Sequence, residues 1–209
     1  MHDPSNRGKG GPLSMMRRFI LAALALALAS PAAAQFSDSY NFMKAVKDRD
    51  VNKAIELADK PGTTVVNVRD ADTGEAPIHV VTRRSDLGWL GLLYQKGANL
   101  NLKDREGNTP LILATLTRWS EGVATLIRLK AQVNAQNRMG ETAILKAVQA
   151  RDLALAKALI DAGANPDLAD NSGISARAVA DADPRAASIA KLLKDVPVKA
   201  GGKAQGPSL

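Results

Sequence analysis

Cysteine is absent from this chain, and that one gap removes disulfides, thiolate nucleophiles and every cysteine-based zinc site. Histidine occurs twice, and only His79 lies in the body of the chain, so there is neither a Cys/His dyad nor a zinc cluster. No G-x-S-x-G elbow and no glycine-rich phosphate loop occurs. The close pairs Asp70/Asp72 and Asp181/Asp183 read as turn formers, because short carboxylates accept hydrogen bonds from nearby backbone amides. Aromatic residues make up 3% of the chain, and no basic run is interleaved with them, which argues against nucleic acid as a partner. No catalytic, metal-binding or cofactor-binding residue is therefore assigned, and cohesion has to come from packing alone.

What is present begins with a leader pattern. Met15-Met16-Arg17-Arg18 is a basic start, Phe19 to Ala29 is apolar, Ser30-Pro31 interrupts it, and Ala32-Ala33-Ala34 supplies small residues before Gln35. This predicts a signal peptide cleaved between Ala34 and Gln35, with translation starting at Met15 or Met16 and residues 1–14 belonging to neither leader nor fold. The apolar run falls short of the ~20 residues that span a bilayer, so no membrane anchor is expected after cleavage. Without a cysteine after the cleavage point, lipid attachment there is excluded. The predicted location is periplasmic or secreted, by general export, since the residues around Arg17-Arg18 match the twin-arginine pattern poorly. Lys plus Arg is 28 against 21 Asp plus Glu for the whole chain, and 24 against 20 once Arg7, Lys9, Arg17, Arg18 and Asp3 go with the leader. The mature surface is thus mildly basic.

Beyond the leader the chain repeats. Gly74, Gly107, Gly140 and Gly173 stand 33 residues apart, and a helix start follows each: Ala76-Pro77-Ile78, Thr109-Pro110-Leu111, Thr142-Ala143-Ile144 and Ser175-Ala176-Arg177. Threonine and serine cap helices, and proline is best tolerated at the first helical position. A second register, Gly97, Lys130 and Gly163, has the same step and marks where a second helix ends in a left-handed cap. Lys130 predicts a locally weak junction there, since a non-glycine residue in that conformation costs about 1 kcal/mol. Between the registers lie two apolar patterns per unit, such as Leu111, Leu113 and Ala114, then Val123, Leu126 and Ile127, each suited to a short helix with one buried face. Small residues such as Ala114 and Ala147 let neighbouring first helices approach closely.

A 33-residue unit of turn, helix and helix with a T-P-L-H-like start resembles the ankyrin-repeat family. The resemblance implies an all-α solenoid of stacked helix-turn-helix units joined by hairpin-like loops. The repeat domain is expected over 38–195: an amino-terminal capping unit at about 38–69, repeats at about 71–103, 104–136 and 137–169, and a carboxy-terminal capping unit at about 170–195. In that last unit Arg177 takes the place of Leu111 and Ile144, as a repeat with one solvated side would permit. The Gly/Pro/Lys-rich segment 196–209 is expected to be disordered.

The resemblance also implies protein binding through hairpin tips and the concave face of the first helices, with His79 bracing its turn. The tips would carry Arg105, Arg138 and Met139. The ends of the first helices would carry Arg83, Arg84, Leu116, Thr117, Arg118, Gln149 and Arg151, in which the arginines form a basic edge. Trp119 has two readings, as an anchor on that edge or as a filler between second helices. The expected partner is another protein, with the chain itself a monomer. Some small exported bacterial members of the family are linked with protection or assembly of periplasmic enzymes such as catalase. The alternative is a secreted effector that engages a host protein.

Overall fold

The computed structural model describes residues 31–198, with side chains from residue 38 onward. Residues 1–30, which hold most of the leader pattern, and 199–209, which hold most of the tail, lie outside the described residues. The expected cleavage point between Ala34 and Gln35 falls within the first helix, α1 (Pro31–Asp48).

Five helix pairs follow one another: α1 with α2 (Val51–Ala58), α3 (Pro77–Arg83) with α4 (Leu87–Gln95), α5 (Pro110–Leu116) with α6 (Ser120–Arg128), α7 (Ala143–Gln149) with α8 (Leu153–Asp161), and α9 (Ala176–Ala182) with α10 (Ala187–Lys194). No strand occurs among the described residues, so the fold is an all-α repeat solenoid. The helix starts form as the sequence predicts. Thr109, Thr142 and Ser175 accept hydrogen bonds from the amides of Ile112, Leu145 and Ala178, and Asp50, Asp86 and Asp152 do the same for second helices. Ala76 has no capping oxygen, and His79 supplies only the reciprocal half of a capping box. Its Nδ1 accepts from the Ala76 amide at 2.9 Å, and its Nε2 lies 2.9 Å from the Leu102 carbonyl, into which it donates. Burial pushes the His79 pKa down, which keeps the ring neutral for this double role.

First helices stack on first helices and second on second, and each unit buries its apolar face against the next. Val81, Ala114, Ala147 and Ala180 occupy one repeat position on the first helices and are all buried, so small side chains set the close stacking. Leu90 with Leu93, Val123 with Leu126, and Ala156 with Leu159 fill the same positions on second helices.

The glycine period has a precise steric origin. Gly74, Gly107 and Gly140 all have positive φ, and a Cβ on any of them would lie within 3 Å of backbone in the following hairpin: 2.9 Å from Arg105 N, 2.5 Å from Arg138 N and 2.8 Å from Asn171 N. That contact carries a backbone ladder, in which the amides of Arg105, Arg138 and Asn171 donate to the carbonyls of Thr73, Glu106 and Met139. Gly173 has no hairpin beyond it and no atom within 4 Å of its would-be Cβ. A second ladder runs on the other side of the units. The Asn67 side chain bonds the Asn99 amide and the Gly97 carbonyl, Asn101 takes the Gln132 amide, and Asn134 bonds the Asn165 amide and the Gly163 carbonyl.

Lys130 adopts φ 66°, beside φ 87° and 89° at Gly97 and Gly163, so the lysine does occupy a left-handed cap. Arg49, Ser85, Arg118 and Arg151 also have positive φ, at the turn between the two helices of the first four units, where nothing in the residue types signals it. One expectation is corrected. Arg177 does not face solvent; it pairs with Asp167 at 2.6 Å, its side chain is 19% exposed, and it donates to the carbonyls of Leu193 and Val196. The guanidinium thus closes the carboxyl end of α10, whose last carbonyls have no helical partner.

Candidate protein-binding surface

The arginines expected to form a free edge are mostly bonded between units. Arg84 donates from Nη1 to the Val46 carbonyl at 2.6 Å, lies 5.4 Å from the Trp89 ring centroid, and places Nε 3.3 Å from Asp86. Its side chain is only 18% exposed, and burial pushes its pKa down against the pull of Asp86. It is a seam between the first and second units, which corrects its assignment to the docking edge. Arg118 donates to the Ala150 carbonyl at 2.8 Å, and Arg151 pairs with Asp183 at 2.6 Å. Val46 and Ala150 sit at the carboxyl ends of first helices, where carbonyls lack intrahelical partners and the helix dipole favours a cation. Each of these arginines therefore meets a need of an adjacent unit. Arg83 is tied to Glu75 and, at 3.4 Å, to the buried Asp104.

Trp119 resolves to packing. Its ring is buried at 9% exposure and lies over Gly122, where a Cβ would come within 2.0 Å of Cε3. The indole occupies the space that a side chain at 122 would need, and it cannot also present itself to a partner. The spacing Trp119-x-x-Gly122 carried this signal in the sequence.

Leu116, Thr117 and Gln149 remain exposed at the helix ends, and Arg105, Arg138 and Met139 remain exposed at the tips. Leu116 is 49% exposed and Met139 61%, both large apolar side chains in water. Arg105 donates to the Ala71 carbonyl of the preceding hairpin. The Arg138 guanidinium has no hydrogen bond or ion pair among the described residues. The neighbouring carboxylates are largely committed. Burial pushes Glu141 up, but bonds from Lys146 and Asn137 outweigh it and leave its pKa lowered, while Asp104 accepts from the Asn108 amide. Asp70 is held at a pKa of about 2, chiefly by the Thr73 amide and by Lys47. These acids build hairpins and do not form an acid–base pair. Asn108, in the same hairpin as Arg105, is 2% exposed. Ile174, at the repeat position of Glu75, Asn108 and Glu141, is 45% exposed and was overlooked, although aligning the units displays an isoleucine among polar residues.

Among the described residues no helix is long and apolar enough to cross a membrane, and no group of three or more His, Asp or Glu side chains could hold a metal ion. A family profile described as ankyrin repeats in three copies matches residues 78–170. The chain is 39% identical over 86 residues to ankyrin repeat protein R664 of Acanthamoeba polyphaga mimivirus, covering 39% of this chain and 53% of that one. It is 31% identical over 154 residues to an intracellular phospholipase A2 of Caenorhabditis elegans, covering 68% of this chain and 14% of the enzyme. It is 33% identical over 106 residues to neurogenic locus notch homolog protein 1 of Danio rerio, covering 50% of this chain and 4% of that protein. The chain therefore spans about half of one relative and small fractions of the others.

Proposed function

Since the repeat domain belongs to the ankyrin-repeat family, whose units serve as protein–protein interaction modules, we propose that this chain is a non-catalytic module that holds a partner protein outside the cytoplasmic membrane. The observation that carries the reading is the exposure of two large apolar side chains on this face, Leu116 at a first-helix end and Met139 at a hairpin tip, among polar neighbours most of which the solenoid itself engages. Exposed apolar side chains of this kind become the buried anchors of an interface, with cations such as Arg105 and Arg138 at its rim. The leader pattern over residues 15–34 supports export, and the family resemblance supports a periplasmic enzyme as the class of partner.

Immobilised protein should retain a partner from a periplasmic extract. Leu116→Asp and Met139→Asp should each lower that retention at least about tenfold, the size of a lost anchor. Leu153→Asp is the matched control, since Leu153 is 44% exposed on the second-helix row. Equal loss from the control would refute the placement of the surface. An exported protein whose amino-terminal sequence still includes Phe19 to Ala29 would refute the expected processing.

A further inference from the structure

A second surface lies away from the first helices. An open groove of about 1150 Å³ runs beneath the hairpins, lined by the segments that lead from second helices into hairpins and by the hairpins themselves. No residue of any helix lines it. Three cations do, Arg69, Lys103 and Arg138, and none of them makes an ion pair among the described residues. The one carboxylate in the lining, Asp104, has a side chain 2% exposed and is already engaged by Arg83 and the Asn108 amide.

The donors left over point into an unmet need. Arg69 uses Nε on the Gly74 carbonyl, and its two terminal nitrogens have no partner among the described residues. Lys103 gives one of its three donors to the Gln136 carbonyl. Arg138 uses none in its side chain. Most of the amides that share the lining are spent on the scaffold, as Gln136 bonds the Gly140 and Ala169 carbonyls, Asn134 the Gly163 carbonyl and Asn171 the Arg138 carbonyl. Charge is therefore the feature that a ligand would read.

We propose that this groove binds an extended acidic polypeptide segment, with carboxylates paired to Arg69, Lys103 and Arg138. The volume exceeds the ~300–1,000 Å³ of small-molecule pockets, so a chain fits it better than a single small anion. Arg69 and Lys103 hold the same position in successive units, and stacked helices lie roughly 8–10 Å apart. A chain in the extended polyproline II conformation rises about 3.1 Å per residue and turns once every three, so acidic side chains three residues apart share one face and match that step. The lining contains no aromatic residue on which bases could stack, which disfavours single-stranded nucleic acid.

The test uses the full chain and a fluorescein-labelled peptide of about nine residues with glutamate at every third position, read by anisotropy. The peptide should bind, and its glutamine counterpart should not. Lys103→Glu with Arg138→Glu should weaken binding at least about tenfold, and the neutral pair Lys103→Gln with Arg138→Gln should weaken it in the same direction, with urea midpoints near that of the parent. Arg128→Glu with Lys191→Glu, the same charge change on second helices, should leave binding unchanged. Leu116→Asp should also leave it unchanged, which separates this groove from the edge proposed above. Equal weakening by the Arg128/Lys191 pair, equal binding of the glutamine peptide, or tighter binding of a single-stranded oligonucleotide would each overturn the proposal.

Discussion

Replacing Gly107 with alanine tests the stacking of hairpins directly, because Gly173 offers a control with nearly the same backbone and no neighbour. Their φ values are 84° and 80°, so an alanine at either site incurs the left-handed penalty of about 1–2 kcal/mol. Only at Gly107 does the new Cβ meet backbone, at 2.5 Å from Arg138 N and 3.1 Å from Asn137 C. Backbone within a hydrogen-bonded ladder cannot step aside as a flexible side chain would. The hairpins must part, and the 3.0 Å bond from the Arg138 amide to the Glu106 carbonyl is lost, which adds roughly 1 kcal/mol or more. Gly107→Ala should therefore destabilise by about 1–2 kcal/mol beyond Gly173→Ala. With a urea slope of ~2 kcal/mol/M, its midpoint should fall about 0.5–1 M below that of the control in circular-dichroism titrations. Gly140→Ala and Gly74→Ala, with closest backbone contacts of 2.8 Å and 2.9 Å, should fall between them. Coincident midpoints for the Gly107 and Gly173 variants would refute the claim that the repeat period reflects contact between hairpins.

Lys130→Gly relieves the one non-glycine residue among the caps that follow the repeat second helices, and it should raise the urea midpoint by the equivalent of about 0.5–1 kcal/mol; a lower midpoint would show that the lysine stabilises the cap. His79 has its folded pKa pushed below its usual value of about 6.5 by burial, so below that pH the unfolded chain binds more protons and stability falls as pH drops. His79→Gln should flatten that slope below about pH 6.5 while lowering stability near neutrality, as followed by urea midpoints; an unchanged slope would assign the pH dependence elsewhere.

Local chemistry made much of the fold legible. Thr109-Pro110 announces a helix because a hydroxyl and a fixed φ act within three residues, and the buried Leu126 and Leu159 follow from apolar spacing on one helix face. Even the left-handed cap at Lys130 could be read, since it breaks a glycine register. The family resemblance also pointed to bracing by His79, and His79 does bridge its own turn to Leu102.

The candidate surface was much less legible, because the atoms that settle each polar side chain lie about one unit away. Arg118 meets a carbonyl 32 residues on, Arg84 one 38 residues back, and Arg151 a carboxylate 32 residues on. From the sequence these arginines form a periodic exposed stripe; stacking turns Arg84 and Arg118 into caps for neighbouring first helices and Arg151 into an ion pair with Asp183. Trp119 and Gly122 are close in sequence, yet burial of the ring depends on the second-helix row closing over it. The basic groove likewise exists only once hairpins and loops from several units stand side by side. Sequence thus determined the unit and its period, since those depend on interactions within a turn or two of helix. Tertiary structure decided which charges remain free, since that depends on carbonyls and carboxylates that adjacent units bring within hydrogen-bonding reach.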